Sequence, residues 1–203
     1  DVIIIGGGHA GVEAALASSR LGLKTLLITK SIDAIGALSC NPSIGGIGKG
    51  QLVKEIDILG GEMGRAADFA NIHSNILNLS KGSSAWSSRS QIDSNIYKQY
   101  ILNTLSQEAN LTIIQDEVTK IILAKTKNII DGVKTKINNL IKCKSLILCT
   151  GTFLKGLIHL GPLRLKGGRF SESSSDNLDT NLLAYGFQLD RFKTGTSPRV
   201  DRF

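Results

Sequence analysis

The sequence predicts an α/β fold built on a parallel sheet, and three observations predict it. Val2–Ile5 (V-I-I-I) is a short, wholly apolar, β-branched run, the composition of a strand buried on both faces. A second such run, residues 145–152 (S-L-I-L-C-T-G-T), ends in Thr-Gly-Thr. Between the first strand and residue 30 the pattern is strand, glycine turn, Ala-rich helix, strand, which is the length of one βαβ unit.

Each element follows from its local chemistry. After Val2–Ile5 the chain reads G-G-G-H-A-G, so Gly6, Gly8 and Gly11 fall at the spacing G-x-G-x-x-G, between a strand and a helix. Gly6 would permit the tight turn, Gly8 would let backbone approach a pyrophosphate, and Gly11 with Ala15 would let helix and strand pack closely. Amides at the helix start, from Gly6 and Gly7 through His9, Ala10 and Gly11, together with the helix dipole, suit phosphate. The motif therefore points to dinucleotide binding; the alternative is a glycine-rich turn that binds nothing. Residues 12–21 carry helical spacing and Gly22 stops them. Residues 24–29 form the second strand. Its end, where an acidic residue usually binds a ribose, holds Thr29 and Lys30. Lys30 there suits a phosphate better than a neutral diol.

Residues 39–50 (S-C-N-P-S-I-G-G-I-G-K-G) are expected to be neither regular helix nor strand. Such a loop lets backbone approach a flat or phosphorylated ligand, or it moves. The spacing G-x-x-x-x-G-K-[ST] is absent, which argues against a nucleoside triphosphatase. Cys40 allows two readings: a nucleophile activated beside a Lys-bearing loop, or a small buried hydrophobe. Residues 51–67 carry a helical face interrupted at Gly60 and Gly61, predicting two short helices. Residues 72–79 read as a strand or turn, and 80–90 as a polar loop with the single Trp, Trp86, facing a substrate or anchoring packing. Residues 92–108 are helical, and 111–114 a third β run. Residues 118–124, 129–137 and 139–142 form a meander, with Asp131-Gly132 as bulge or turn. Residues 160–175 are expected to be a Gly- and Ser-rich loop, 178–185 a helix, 187–192 a short strand and 194–199 a turn-rich tail.

Composition sets outer limits. At 203 residues and 41% hydrophobic, the chain can bury a sizeable core, and no stretch approaches a membrane span. Three cysteines at unrelated spacings argue for a reducing compartment and against disulfides or a metal cluster. The chain opens in a strand with no signal peptide and no initiator Met, so the N-terminus is expected to be trimmed. Basic and acidic side chains number 9 and 8 in residues 1–100, and 15 and 9 in 101–203. The excess in the second half permits an anionic partner such as RNA, or is an ordinary solvated surface. At 5% aromatic, there is little material for stacking bases.

The order of motifs carries a resemblance. A G-x-G-x-x-G strand–helix, a meander and an apolar strand ending in Thr-Gly resemble the Rossmann-type FAD domain of glutathione-reductase-like flavoproteins. The runs D-V-I-I-I-G-G-G-H-A-G, S-C-N-P-S-I-G-G-I-G-K-G, L-V-K-E-I-D-I-L-G-G, C-T-G-T-F-L-K-G, G-G-R and K-T-G-T-S-P-R occur in that order. Together they resemble, along the whole chain, the family of tRNA uridine 5-carboxymethylaminomethyl modification enzymes, MnmG or GidA. Ser83 and Ser197 depart from prolines expected by that family.

The resemblance implies an FAD enzyme that, with the GTPase partner MnmE, builds an aminomethyl-type group on C5 of the wobble uridine of tRNA. A folate would supply the one-carbon unit and NADH would reduce the flavin, from a site mainly outside this chain. The cofactor residues it implies are Gly6, Gly7, Gly8, His9, Ala10, Gly11, Thr29, Lys30, Gly45, Gly46, Gly48, Val118, Thr150, Gly151, Thr152 and Ser175. Val118 would hold the adenine end, Thr150 to Thr152 would close over the cofactor, and Gly45 to Gly50 would lie near the isoalloxazine. Cys40 would be catalytic; no metal is implied. The family's second strand need not end in an acid, so Lys30 is compatible with FAD. The implied organisation is the N-terminal portion of an FAD domain, incomplete at its C-terminus: a βαβ motif (1–30), a glycine-rich loop (36–50), a meander with the Thr-Gly strand (118–152), and a loop and helix (153–203) leading towards an absent insertion. A fragment of this kind would bind FAD weakly and catalyse nothing alone. The complete protein would be a homodimer in the cytoplasm, or in a mitochondrial matrix, without membrane attachment. Two other readings stay open: a folate- and FAD-dependent tRNA uridine C5-methyltransferase resembling TrmFO, and an inactive FAD- or RNA-binding remnant.

Overall fold

The computed structural model describes residues 1–125, 129–137, 140–169, 172–193 and 195. Its centre is a four-stranded parallel sheet in the order β10-β1-β2-β6, formed by β1 (Val2–Ile5), β2 (Thr25–Thr29), β6 (Leu111–Gln115) and β10 (Ser145–Leu148). Val2 pairs with Thr25 on one side and Ser145 on the other, so the two apolar runs lie side by side.

The period of two in a strand decides which layer each residue of β1 joins. Val2 and Ile4 enter a core with Val12, Ala15 and Leu16 of α1 (His9–Arg20) and Tyr97, Ile101 and Leu105 of α4 (Ser94–Ser106). Ile3 and Ile5 enter a second core with Val118 and Ile121 of β7 (Val118–Leu123), Val133 of β8 (Ile130–Thr135) and Leu178 and Leu182 of α5 (Leu178–Ala184). The result is helices α1 and α4 on one face of the sheet and, on the other, α5 with an antiparallel meander, β7-β8-β9 with β9 at Ile141–Lys142. The α/β class with a parallel sheet and a meander is as the sequence predicts.

The interrupted helical pattern resolves into α2 (Gly50–Ile58) and α3 (Met63–Phe69). The Glu13 carboxylate of α1 accepts from the Glu62 and Met63 amides, at 3.0 and 2.6 Å, and so caps α3. Glu62 is buried and takes a guanidinium hydrogen bond from Arg20 at 2.7 Å and a phenol hydrogen bond from Tyr100 at 2.7 Å. These contacts tie α1, α3 and α4 into one layer.

Five expectations change. Residues 39–50 are partly regular: β3 (Ser43–Gly45) pairs with β5 (Ser87–Ile92), which pairs with β4 (Asn71–Leu77), and Gly50 opens α2. The expected polar loop at 80–90 is therefore half strand, its serines supplying the middle of a three-stranded sheet in which polarity hid the β pattern. The expected loop at 160–175 contains a hairpin, β11 (Leu157–Leu160) and β12 (Leu163–Lys166), turned at Gly161 with φ +56°. Residues 187–192 form no strand, lacking a pairing partner among the described residues. The apolar run at 145–152 ends as a strand at Leu148 and lies at the sheet edge, so Ile147 and Leu148 stay 36% and 38% exposed. The expected tail at 194–199 and Ser197 lie outside the described residues, apart from Gly195, as does part of the strand expected at 139–142.

Candidate dinucleotide-binding site

The glycine turn joins β1 to α1 at the carboxyl ends of the parallel strands, the position where open α/β sheets take their ligands. Each glycine answers to a different constraint. Gly6 has φ +107°, and a Cβ there would overlap the Cys149 carbonyl. A Cβ on Gly11 would overlap the Gly6 carbonyl, so helix and strand touch backbone to backbone. A Cβ on Gly7 would lie 2.8 Å from Cγ1 of Ile35 and 3.0 Å from Oγ1 of Thr29. Gly8 differs: as the N-cap of α1 it sits at φ −73° and ψ −176°, open to any residue, and an added Cβ would meet nothing within 4 Å. Neither dihedral nor packing demands glycine there. Open space faces it at the positive end of a 12-residue helix, space that an added side chain would enter. The residues present therefore fit a pyrophosphate.

Around this end the structure gathers several expected residues and adds others. His9 packs edge-on against Tyr97, with ring centroids 5.9 Å apart, and burial together with the nearby Arg169 guanidinium pushes its pKa down. Burial and the Glu13 charge push the Tyr97 phenol up. Thr29 is buried and donates to the Ser31 carbonyl at 3.1 Å. The Asp116 amide donates to the Thr29 carbonyl at 2.9 Å, so the chain passes the end of β2 just before Val118, a buried residue opening β7.

Thr150 to Thr152 lead into a tight turn, Gly151–Phe153, in which Thr152 Oγ1 donates to the Gly168 carbonyl at 2.8 Å. Ser175 is buried; its amide donates to the Phe153 carbonyl at 2.8 Å, and its own carbonyl accepts from Lys155 at 3.0 Å. The Phe153 ring has the Lys30 ammonium 5.6 Å and the Arg169 guanidinium 5.4 Å from its centroid. Sequence reasoning missed Phe153 and the serines at 173 and 174. The Thr-Gly-Thr-Phe and Gly-Gly-Arg runs were the signals that could have placed them together.

The other expected residues occupy a second locality. Gly45 and Gly46 lie against β5: a Cβ on Gly45 would overlap the Ser88 carbonyl, and the Gly46 amide donates to that carbonyl at 2.8 Å. Gly48 has φ +73° with open space beside it. An open groove of about 580 Å³ runs from here between α2, α3 and the β3-β5-β4 sheet, past Ile44, Val53, Ser74, Ile76 and Ser88. Cys40 is exposed, which removes its reading as a buried hydrophobe. It follows Gly36, whose amide donates to the Gly7 carbonyl at 3.1 Å, by four residues. Chain geometry keeps the two Cα atoms within about 14 Å. Trp86 is 45% exposed, and its indole donates to the Lys81 carbonyl at 3.0 Å, so it braces its own turn. Ser83, one of the two departures from an expected proline, opens a short 3₁₀ turn, Ser83–Ala85. Among the described residues no group of His, Cys, Asp and Glu could hold a metal, and no helix is long and apolar enough to cross a membrane.

The sequence profile of the family described as Glucose inhibited division protein A, GIDA, matches residues 1–203. A relative from Sulfurihydrogenibium sp. (strain YO3AOP1), the tRNA uridine 5-carboxymethylaminomethyl modification enzyme MnmG, is 50% identical over 202 residues, covering 100% of this chain and 33% of its own length. The protein of the same name from Campylobacter fetus subsp. fetus (strain 82-40) is 52% identical over 200 residues, 98% of this chain and 32% of its own. GidA from Aquifex aeolicus superposes with a TM-score of 0.90 at 46% identity, over 97% of this chain and 32% of that one. A GidA-related protein from Thermus thermophilus shares the fold, with a TM-score of 0.65 at 21% identity, over 92% of this chain and 68% of that one. The chain spans about a third of the length of the curated relatives it matches. With a full-length profile match, half of its residues identical to those of MnmG relatives and a near-superimposable backbone, the chain belongs to the GidA family.

Proposed function

We propose that this chain is the N-terminal, flavin-binding portion of an FAD-dependent enzyme that adds the 5-carboxymethylaminomethyl group to the wobble uridine of tRNA. The observation that carries the reading is Gly8, a helix N-cap glycine with no conformational or packing need to be glycine. The name and 50% identity of the MnmG relative support the reaction. The chain's share of that relative supports the view that other residues complete the enzyme.

In this reading the amides of Gly8, His9, Ala10 and Gly11 hold the FAD pyrophosphate at the α1 N-terminus, with Gly6 and Gly7 shaping the turn. Thr29 and Lys30 bound the ribose side, Val118 the adenine end, and Thr150, Gly151, Thr152 and Ser175 the roof. Bound FAD supplies two-electron redox chemistry, with NADH as reductant from a site mainly beyond these residues. Gly45, Gly46 and Gly48 line the approach of the substrate. Cys40, exposed and four residues beyond Gly36, acts as the nucleophile. Its thiolate forms a bond to C6 of uracil while the C5–C6 π pair moves to C5, conjugated with O4. C5 then attacks the folate's methylene carbon as one of that carbon's C–N bonds breaks, the electron pair going to the folate nitrogen. Loss of the C5 proton expels the thiolate and restores the double bond. The partners are tRNA, the GTPase MnmE and a second copy of the complete protein, in the cytoplasm. Residues 1–30, 36–50, 118–152 and 153–203 serve as cofactor turn, substrate loop, meander with roof strand, and lead-out.

The test is twofold. The complete protein, incubated with FAD and desalted, should retain flavin absorbance; a colourless protein contradicts the reading. The tRNA of a deletion strain should lack the aminomethyl group at C5 of the wobble uridine. Loss of a C5-methyl group instead would assign the methyltransferase reaction.

A further inference from the structure

Lys30 stands at the end of β2, where this fold usually places an acid against a ribose. Its ammonium does not point to free space. It donates to the Ser173 carbonyl at 2.6 Å, to Ser173 Oγ at 2.9 Å and to the Ser174 carbonyl at 3.2 Å, across 143 and 144 residues of sequence. An ammonium has three donors, and three protein oxygens meet them. Lys30 thus has no donor left for a ligand phosphate while this arrangement holds.

The oxygens it meets belong to a segment that is anchored at its other end. Ser175 is fastened to the turn after β10 through Phe153 and Lys155, and Gly168, whose added Cβ would overlap the Phe153 ring, seats the preceding stretch on the same turn. Ser174 Oγ donates to Asp176 at 2.8 Å. The segment at 172–175 therefore spans the sheet's carboxyl edge, from the β10 turn to the end of β2. On the β10 side backbone hydrogen bonds hold it; on the β2 side the Lys30 side chain supplies the hydrogen bonds. Arg169, paired with Glu172 at 3.6 Å, is carried on the same unit close to His9.

We propose that Lys30 is a positioning residue that latches the 172–175 strap across the end of β2, holding the roof of the dinucleotide cleft, rather than a phosphate ligand. The proposal rests on the flavin reading for its consequence but not for its geometry. Strap closure slows escape of a bound dinucleotide, and the Lys-to-carbonyl latch takes the place of the usual acid-to-ribose contact.

The experiment uses the complete protein with Lys30→Met and Lys30→Arg. In the flavin-free protein, amide hydrogen exchange over residues 172–175 should quicken about tenfold in Lys30→Met and return in Lys30→Arg, which can still donate to the carbonyls. The rate of FAD loss should follow the same order. If exchange over the strap is unchanged while FAD affinity falls, and the fall shrinks with added salt, Lys30 is a phosphate contact and the proposal is overturned. No change in either also overturns it. Should Lys30→Met fail to fold, Lys30→Gln, which keeps one donor group, gives the same comparison. A wild-type protein that binds no FAD would defeat the flavin reading, while the exchange data would still decide the latch.

Discussion

Two glycine-rich regions, residues 6–11 and residues 45–50, look alike in the sequence and behave differently in the structure. In the first, Gly6 and Gly11 are held by backbone a side chain would strike, under a sheet whose Ile4 is wholly buried. In the second, Gly46 and Gly48 have positive φ but little or nothing around them, and Ile47 between them is 67% exposed. One region is fixed by packing at Gly6, Gly7 and Gly11 and leaves a single glycine, Gly8, with open space beside it. The other mixes the two: Gly45 and Gly50 are packed against Ser87 and Ser88, while Gly46 and Gly48 lie on an open surface, ahead of a helix with exposed Leu52 and Ile58. A glycine's neighbours, more than its spacing, separate a packed turn from an open loop.

The largest expected effect breaks the packed region. Gly11→Ala would ordinarily stabilise a helix by about 1 kcal/mol. Here the Cβ meets the Gly6 carbonyl, so the sign reverses, to a loss of about 3 kcal/mol in urea unfolding. The same change at Gly46, whose added Cβ would come no nearer than 4.0 Å to Arg89, carries only the positive-φ strain, about 1 kcal/mol.

A middle effect comes from the polar layer under α1. Burial pushes the Glu62 carboxyl up, but hydrogen bonds from Arg20 and Tyr100 and the Arg20 charge outweigh it, so its pKa lies below the ordinary glutamate value. A depressed carboxylate contributes stability that is present above its unfolded pKa of about 4.3 and is lost as pH falls through the lower folded value. Glu62→Gln should therefore cost about 1–2 kcal/mol at pH 7, and the difference from wild type should shrink on acidification through that range. A difference that grew on acidification would contradict the assignment.

Much of this was legible in the sequence and some was not, for physical reasons. Val2–Ile5 declared a doubly buried strand because every residue is β-branched and apolar, and the strand indeed feeds two cores. Gly60 and Gly61 announced the break between α2 and α3. The three-stranded sheet was illegible because β5 reads S-S-R-S-Q-I: its pairing is carried by backbone, and its side chains are polar. The run at 187–192 failed in the opposite way, carrying a β-like pattern with no strand to pair against among the described residues. At the site, the sequence identified the glycine turn but not Phe153 or the Ser173–Lys30 contact, because these depend on residues over a hundred positions apart meeting at one sheet edge.

The smallest effects fall on the open surface. Cys40→Ser should change stability by less than about 0.5 kcal/mol, since the thiol is exposed, yet abolish tRNA modification by the complete protein. Lys144→Ala, which removes an ion pair with Asp1 from a side chain 83% exposed, should cost no more than about 0.5 kcal/mol.

The most direct measurement pairs urea unfolding with flavin retention in the complete protein carrying Gly8→Val. An extended N-cap with empty space beside it has room for the side chain and loses only the N-cap preference for glycine over valine, so stability should fall by no more than about 2 kcal/mol while FAD retention after desalting is lost. Stability unchanged with flavin still bound would contradict the claim that Gly8 is glycine for the sake of a ligand.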